Sequence, residues 1–253
     1  MNIVNKLNRE LLEQDFLKEQ PASDELFRYK EIARHYAYME KSIAVLSDMR
    51  TNTSYIYYGG FSKTLGIEHA DREGVVYSIW EESILKLIHP DDLHSKYLQE
   101  LRFFHFMKQQ PAGKRFDYYL MNKLRMKNAA GNYLPVLHRL YYMAMLPGSN
   151  NLWLALCLYN PLLFDISGKG VVANAVTGQM NELESNQDSG ILSEREKQIL
   201  RLIDQGMMSR DIAETLCISI HTVSRHRQEI LGKLQVRNSI EACRIARDLK
   251  IIL

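Results

Sequence analysis

Apolar and polar positions change their pattern several times along the chain, and each change marks a different kind of element. Residues 2–19 are polar with scattered leucines, and residues 22–40 follow the start signal Pro21-Ala22-Ser23-Asp24-Glu25, so both stretches are predicted helices. From residue 42 to about residue 161 the chain has short β-rich runs. The predicted strands are 42–48, 54–58, 115–126, 133–146 and 152–159, with helical stretches filling residues 61–108.

The order of two strands, several short helices and three longer strands is typical of an α+β domain built on one antiparallel sheet, here five-stranded. In the last strand both faces are apolar, because Leu152 and Leu154 alternate with Trp153 and Ala155. An apolar outer face has to be covered. We therefore expect the N-terminal helices or a second subunit to lie on it.

Residues 165–190 are polar, contain glycine and show little apolar periodicity, which predicts an interdomain linker. A chain of 253 residues indicates two domains, since a domain usually has about 100 to 200 residues. The predicted organisation is N-terminal helices over 1–41, an α+β domain over 42–164, the linker, and an all-α four-helix domain over 191–253.

The four C-terminal helices are placed by their capping residues. Ser193 and Glu196 form a capping box that begins the first helix, and Gly206 ends it in the left-handed conformation. Residues 217–219 alone separate the second and third helices, which is the short connection of a helix-turn-helix. The predicted caps of the other three helices are Ser209, Ser219 and Asn238.

The third of these helices has one apolar and one polar face. Val223, Ile230 and Leu234 share the apolar face, which is expected to pack against the domain. The polar face is typical of a recognition helix in the major groove, where arginine and glutamine reach guanine and adenine edges. The alternative is a solvated helical bundle with a polar exterior. Predicted base-reading residues are His221, Ser224, Arg225 and Gln228, and predicted phosphate-binding residues are Arg210, Thr222, His226, Arg227 and Lys233.

Many separated positions of this segment agree in order with a known family. They are Leu192-Ser193-Glu194-Arg195-Glu196, Gly206, Ser209-Arg210-Asp211-Ile212-Ala213, Ile218-Ser219, Thr222-Val223, His226, Ile230-Leu231 and Lys233-Leu234-Gln235-Val236-Arg237-Asn238. Over residues 191–253 the chain resembles the LuxR-type (GerE-type) DNA-binding domain. The resemblance implies a dimer on a two-fold-related DNA site. Its last helix would make the dimer contact, here through Ile240, Cys243, Arg244 and Arg247.

Two residues depart from the family pattern. Ser224 stands where the family usually has lysine, which removes one expected phosphate contact. Glu229 stands where asparagine is frequent, and it would repel a phosphate unless it pairs with Arg225 or Lys233 along the helix. These departures imply weaker or conditional DNA binding.

Residues 42–161 resemble a PAS sensor domain. The resemblance depends on turn signatures between the predicted elements, namely 47–54, 61–66, 88–93 and 127–133. It implies a domain that holds a small molecule or a partner, and the ligand is unknown. A haem or a flavin fits such a fold, but the helical segment has no cysteine for a light-sensing flavin, and His105 or His138 is more often a core or surface residue than a haem ligand.

One cluster invites a catalytic or metal interpretation. His89, Asp91, Asp92 and His94 lie within six positions and offer acid–base groups and metal ligands. The simpler interpretation is a helix start, because Pro90 suits the first turn and the two aspartates favour the positive end of the helix dipole. We therefore predict no catalytic residue, no metal and no cofactor, and no enzyme.

Composition and charge limit the expected location and binding partners of the protein. No apolar run of about 20 residues or secretory signal is present, and Cys157, Cys217 and Cys243 lack paired spacing, so a reducing cytoplasm is expected. Residues 191–253 carry 11 basic and 8 acidic residues, a net charge of +3 against −1 for the rest. Duplex DNA is the expected partner, with a second copy of the chain, a small-molecule effector and RNA polymerase as further candidates and no membrane.

These observations lead to one hypothesis and two rivals. The hypothesis is a homodimeric transcription regulator whose PAS-like domain changes how the paired C-terminal domains meet DNA. One rival keeps DNA binding but makes residues 1–164 a ligand-free dimerisation or docking module. The second is an enzyme fused to a DNA-binding tail, which depends on the cluster at residues 89–94.

Overall fold

The structure is a computed structural model. It describes residues 3–16, 23–67, 72–164, 166, 170–183, 192–234, 236–248 and 251–252. The chain divides into two compact units, residues 9–183 and residues 184–253 together with residues 1–8. Each unit is described by itself. No helix within the described ranges is both long enough and apolar enough to cross a membrane.

The N-terminal part alternates short helices with strands. Its helices are α1 (Ile3–Leu12), α2 (Ser23–Met39), α3 (Phe61–Thr64), α4 (Glu82–Leu85) and α5 (Pro90–Gln109), followed by a 3₁₀ helix over Ala112–Asp117. Its strands are β1 (Ile43–Asp48), β2 (Thr53–Tyr58), β3 (Glu73–Val76), β4 (Tyr118–Lys127), β5 (Tyr133–Met145), β6 (Leu152–Pro161), β7 (Val171–Asn174) and β8 (Met180–Glu182). The helix predicted over 2–19 is shorter than expected, since it ends at Leu12, and residues 17–19 lie outside the described residues.

The described strands form a single antiparallel sheet in the order β3-β2-β1-β6-β5-β4-β7-β8. The five predicted strands are confirmed and lie side by side as β2-β1-β6-β5-β4. The prediction of a five-stranded sheet is nevertheless wrong, because the sheet has eight strands. The three extra strands have only three or four residues each, too few for alternation to show in the sequence.

Two of the extra strands fall in the predicted linker. β7 pairs with β4, and β8 pairs with β7 at the edge of the sheet. Residues 171–174 and 180–182 of the predicted linker therefore belong to the sheet, which corrects the prediction. Residues 165, 167–169 and 184–190 of that segment lie outside the described residues.

Both faces of the central strands are covered. On one face Ala33 and Ala37 of α2 pack in a cluster with Ala44, Leu46 and other residues of β1 and β6. This confirms that an N-terminal helix covers the apolar outer face. On the other face α3, α4 and the β-strands enclose a second core, which contains Ile43, Val45, Phe61, Ile84, Leu124 and Tyr159.

The cluster at residues 89–94 is a helix start. His89 is the N-cap of α5, and its Nδ1 accepts a hydrogen bond from the backbone N–H of Asp91 at 3.3 Å. The Asp92 carboxylate accepts hydrogen bonds from the Arg125 side chain at 2.8 and 2.9 Å. His94 Nδ1 lies 2.8 Å from the carbonyl oxygen of Pro90. The Asp91 carboxylate lies 3.9 Å from Arg125 Nη2. His89, Asp91 and Asp92 are thus engaged in capping or ion pairing and His94 contacts its own helix, so the catalytic interpretation of this cluster loses its support.

Gly59, directly after β2, gives a testable consequence of this packing. A Cβ built there would lie 2.3 Å from the backbone oxygens of both Ala37 and Ser42, so Gly59→Ala forces α2 or β1 to move. We expect the free energy of unfolding to fall by about 3 kcal/mol, as for overpacking of a core. Chemical denaturation measures it, and Gly113→Ala is the matched control because nothing lies within 4 Å of its added Cβ. Equal stabilities of the two variants would contradict the packing described.

Candidate nucleic-acid interface

Four helices build the C-terminal domain. They are α6 (Glu194–Asp204), α7 (Ser209–Thr215), α8 (Ile220–Leu234) and α9 (Ser239–Asp248). The capping box of α6 is confirmed, since Ser193 Oγ accepts from the Glu196 N–H at 3.3 Å and the Glu196 carboxylate accepts from the Ser193 N–H at 2.6 Å. Gly206 has a φ of 84°, as the end signal predicted.

The caps of the other three helices are largely as predicted. Ser219 Oγ accepts from the Thr222 N–H at 3.0 Å, and Asn238 Oδ1 accepts from the Glu241 N–H at 2.9 Å. The prediction for α7 is wrong by one position. Met208 is its N-cap residue, and the carboxylate of Asp211 accepts from the Met208 N–H at 3.2 Å in place of a serine cap.

The turn between α7 and α8 is tight. Cys217 adopts the left-handed conformation with a φ of 52°, an uncommon state for a residue with a side chain. The Ile218 N–H then donates back to the carbonyl of Ala213 at 3.0 Å, which closes the end of α7. This turn sets α8 across α7 in a helix-turn-helix arrangement.

The two faces of α8 separate as the sequence predicted. Val223, Ile230 and Leu234 are buried, and α8 packs against α6, α7 and α9. The residues predicted to read bases all lie on the exposed side of the helix. They are His221, Ser224, Arg225 and Gln228. The domain therefore presents a polar helix face that carries both donors and acceptors to solvent.

Glu229 pairs within its own helix. Its carboxylate lies 3.3 Å from Arg225 Nε and 3.2 Å from His226 Nδ1. The Arg225 side chain is nevertheless 71% exposed, so its guanidinium stays at the surface. Glu229 was expected to repel a phosphate unless it paired with Arg225 or Lys233, and it pairs with Arg225. Its negative charge on the polar face is therefore partly compensated.

Lys233 makes a contact that the sequence did not indicate. Its Nζ lies 2.7 Å from both carboxylate oxygens of Glu196, whose side chain is only 2% exposed. Burial acts to raise the pKa of Glu196, but the hydrogen bonds from Lys233 and Ser193 outweigh it and leave that pKa below its usual value. This pair joins the start of α6 to the end of α8, so the charge of Lys233 is already matched inside the domain.

Arg227 is also tied to its neighbours. Its guanidinium donates to Ser209 Oγ at 2.8 Å and to Ser239 Oγ at 3.0 Å. These two serines are the first residues of α7 and α9, so Arg227 links three helices. Of the other predicted phosphate ligands, Thr222 contacts Ser219 Oγ, and Arg210 is 80% exposed beside Glu214.

The residues predicted for the dimer contact differ in how far their side chains are exposed. Ile240 is 83% exposed on α9, and Arg247 is exposed beside Asp204 at 3.6 Å. Arg244 is partly buried. Cys243 is only 4% exposed, its Sγ lies 3.8 Å from the carbonyl of Leu200, and burial raises the pKa of its thiol to about 11. This corrects the prediction for Cys243, which belongs to the domain core.

The structure also shows functional residues that sequence reasoning missed. Glu196 is both the capping residue of α6 and the partner of Lys233, and Ser209 and Ser239 anchor Arg227. The capping signal for Glu196 was visible in the sequence. Its second partner was not, because Lys233 lies 37 positions further along the chain.

The geometry of α7 and α8 is that of a helix-turn-helix domain. A short tight turn holds two helices, the second of which is packed on one side and polar and exposed on the other, as in helix-turn-helix DNA-binding domains. Residues 190–246 match the family model GerE, described as bacterial regulatory proteins of the luxR family. The C-terminal part of this chain is therefore a DNA-binding domain of the luxR family.

Two relatives match a short stretch of the chain. The oxygen regulatory protein NreC of Staphylococcus epidermidis is 39% identical over 75 residues, which cover 29% of this chain and 34% of NreC. NreC of Staphylococcus haemolyticus is 36% identical over 72 residues, covering 28% and 33%. The chain thus spans about a third of the length of these curated relatives.

Solved structures resemble the chain over a longer stretch but loosely. The phage VqmA–DPO complex has a TM-score of 0.31 and 14% identity over 90% of this chain and 91% of VqmA. Escherichia coli SdiA has a TM-score of 0.27 and 16% identity over 99% of both chains. Similarity at this level does not define a shared fold.

Proposed function

We propose that this protein is a sequence-specific DNA-binding transcription regulator that acts as a homodimer. The observation that carries the proposal is the exposed polar face of α8 inside a luxR-family domain. In this proposal α8 enters the major groove. Arg225 and Gln228 contact base edges, and His221 and Ser224 complete the surface that faces the groove.

The proposed phosphate ligands are those predicted side chains that are not engaged inside the domain. Arg210 is exposed and Thr222 lies in the first turn of α8, where backbone N–H groups also favour an anion, so both stay phosphate ligands in the proposal. Lys233 and Arg227 are engaged inside the domain, and we assign them to holding α8 in place. His226 lies beside Glu229 and adds a contact at the edge of the groove.

The dimer contact is proposed to centre on Ile240. An isoleucine that is 83% exposed on α9 offers an apolar surface that a second copy would bury. Arg247 and Arg244 stand on the same helix and would surround it. A two-fold arrangement of the domains then matches a two-fold-related DNA site.

Replacing Ile240 tests the dimer. Ile240→Glu is expected to leave the fold intact, because the side chain is exposed, but to weaken binding to a two-fold site until it equals binding to a half-site. Val176→Glu is the matched control, since Val176 is 75% exposed and lies outside the DNA-binding domain. Fluorescence anisotropy on full-site and half-site duplexes measures the effect. An Ile240→Glu protein that still prefers the full site like the wild type would exclude this contact.

Residues 42–161 are proposed to be the sensing part, a PAS-like domain whose state changes DNA binding. Support comes from the central strand order β2-β1-β6-β5-β4 and from the buried ionisable side chains Glu81, Lys96 and Glu100 inside this domain. Ionisable side chains are rarely buried, and clusters of them are candidates for functional sites. Control of this kind needs an effector with different affinity for two arrangements of the dimer.

A second candidate for this part is a docking module without an effector. A groove of about 300 Å³, lined by residues such as Met121, Val171 and Met180, opens at the β4-β7-β8 side of the sheet. Phe164 and Met180 at this groove are 64% and 61% exposed, which suits an apolar partner. Mass spectrometry of extracts from the purified chain separates the two, since a small-molecule sensor retains a compound and a docking module does not.

The regulatory function is tested in the cell of origin. Sites bound by the tagged chain are mapped on the genome, and transcript levels are compared between cells that carry the wild type and Arg225→Ala. The proposal expects genes beside the bound sites to change expression only with the wild type. Transcript levels that are the same for wild type and variant at every bound site would rule it out.

A further inference from the structure

A buried cluster of ionisable side chains lies between α5 and the sheet, far from the DNA-binding domain in the sequence. Lys96 Nζ donates to Glu100 Oε1 at 2.7 Å, and both side chains are at most 8% exposed. His138 on β5 is fully buried, and its Nε2 lies 3.7 Å from the same Glu100 oxygen. The Tyr159 hydroxyl donates to Glu81 Oε1 at 3.2 Å. Nothing in the DNA-binding account uses these groups.

Two of these side chains, together with Cys157 on β6, place different donor atoms close together. Glu100 offers a carboxylate oxygen, His138 a ring nitrogen and Cys157 a thiol sulfur, and these atoms all lie within 4.8 Å of one another. β5 and β6 are paired in register, with Leu140 opposite Cys157 and His138 opposite Tyr159, so His138 and Cys157 are diagonal neighbours on adjacent strands. Glu100 reaches them from α5, on the helical side of the sheet.

We propose that Glu100, His138 and Cys157 form a binding site for one divalent transition-metal ion, with zinc as the best match. Oxygen, nitrogen and sulfur donors together are typical of zinc, whose ligand distances are about 2.0 to 2.3 Å. Ligand atoms around a tetrahedral zinc therefore lie about 3 to 4 Å apart, and the three donors need to approach by about 1 Å. The fourth position is left for water or another small ligand, as in sites with three protein ligands.

Asn122 contacts the other ring nitrogen of His138. Its amide Nδ2 lies 3.2 Å from His138 Nδ1, and His138 Nε2 lies 3.7 Å from Glu100 Oε1. Nδ2 is a donor, so in this arrangement Nδ1 accepts the hydrogen bond and Nε2 carries the ring proton. Metal binding at Nε2 requires the proton on Nδ1, which the Asn122 amide accepts once it is turned over to present its oxygen.

Cobalt binding tests the site, because a cobalt–thiolate bond gives a charge-transfer absorption that other ligands lack. The full chain is stripped with a chelator and titrated with Co²⁺, then with Zn²⁺. We expect one Co²⁺ per chain, a thiolate band, and bleaching of the band when Zn²⁺ displaces the cobalt. Cys157→Ser should abolish the band and lower the Co²⁺ affinity at least about tenfold, on the scale seen for altered metal sites.

Cys217→Ser is the matched control, since Cys217 is exposed and lies outside the cluster. It should keep both the band and the stoichiometry. X-ray absorption at the zinc edge of the wild type gives a readout that needs no variant, and we expect one sulfur among nitrogen and oxygen neighbours. Three results would each overturn the proposal. They are metal binding without a sulfur ligand, a thiolate band that persists in Cys157→Ser, and the absence of stoichiometric metal uptake. DNA binding is measured separately, so neither result depends on the other.

Discussion

Replacing Arg225 with alanine is expected to reduce binding to the specific DNA site by about 10- to 100-fold and to relax the base preference at the positions that it contacts. The reason is that a bidentate arginine–guanine contact is worth about 1 to 3 kcal/mol of discrimination. Arg225 is the exposed arginine on the polar face of α8, and it stays 71% exposed although it pairs with Glu229 at 3.3 Å. Binding to non-specific DNA should fall much less.

Arg201→Ala is the matched control for this variant. Arg201 is exposed on α6, the helix against which the buried face of α8 packs, so it stands away from the polar face. Anisotropy titrations on the specific duplex and on a scrambled one measure both proteins. If Arg201→Ala loses as much specific binding as Arg225→Ala, or if Arg225→Ala binds like the wild type, α8 is not the recognition helix.

Lys233→Ala is expected to destabilise the C-terminal domain by about 2 kcal/mol. Removing one partner of a buried ion pair leaves the other charge without compensation, which costs about 3 to 5 kcal/mol when both are fully buried. The value here is placed lower because the Lys233 side chain is 24% exposed. If the phosphate role assigned from the sequence were correct, the variant would instead keep its stability and lose part of the salt dependence of DNA binding.

Arg210→Ala is the control for stability, since Arg210 pairs at 3.5 Å with Glu214 and the two side chains are 80% and 72% exposed, so little change in stability is expected from it. The pH dependence gives a second check. The pKa of Glu196 is lower in the folded domain than its usual value of about 4.5, so the pair contributes stability above that pH and loses it as the pH falls through the lower, folded-state pKa. The difference in stability between wild type and Lys233→Ala should therefore shrink in acid.

Much of the fold follows from local patterns in the sequence. The five long strands, α2, α5 and the four C-terminal helices have enough residues for alternation, helical spacing or caps to show. β3, β7 and β8 do not, since each has at most four residues and owes its conformation to pairing with a neighbouring strand. Their positions depend on the tertiary structure, which local patterns do not encode.

Part of the candidate site, like part of the fold, could be predicted from the sequence. The exposed face of α8 follows from helical spacing, because Val223 and Ile230 fix which side is buried. The partners of Lys233 and Arg227 lie on other helices, and the burial of Cys243 depends on how α9 packs, so no spacing rule reveals them. The same holds for Glu100, His138 and Cys157, which the sequence separates by 38 and 19 positions and the fold brings together.

We propose that this chain reads a DNA sequence as a dimer through α8. It is tested most directly by selecting ligands for the purified full chain from random duplexes at two salt concentrations, because sequence-independent binding falls steeply with salt. We expect enrichment of one two-fold-symmetric sequence that persists at the higher salt concentration and changes when Arg225→Ala is used. Salt-sensitive binding with no enriched sequence at either concentration would contradict it.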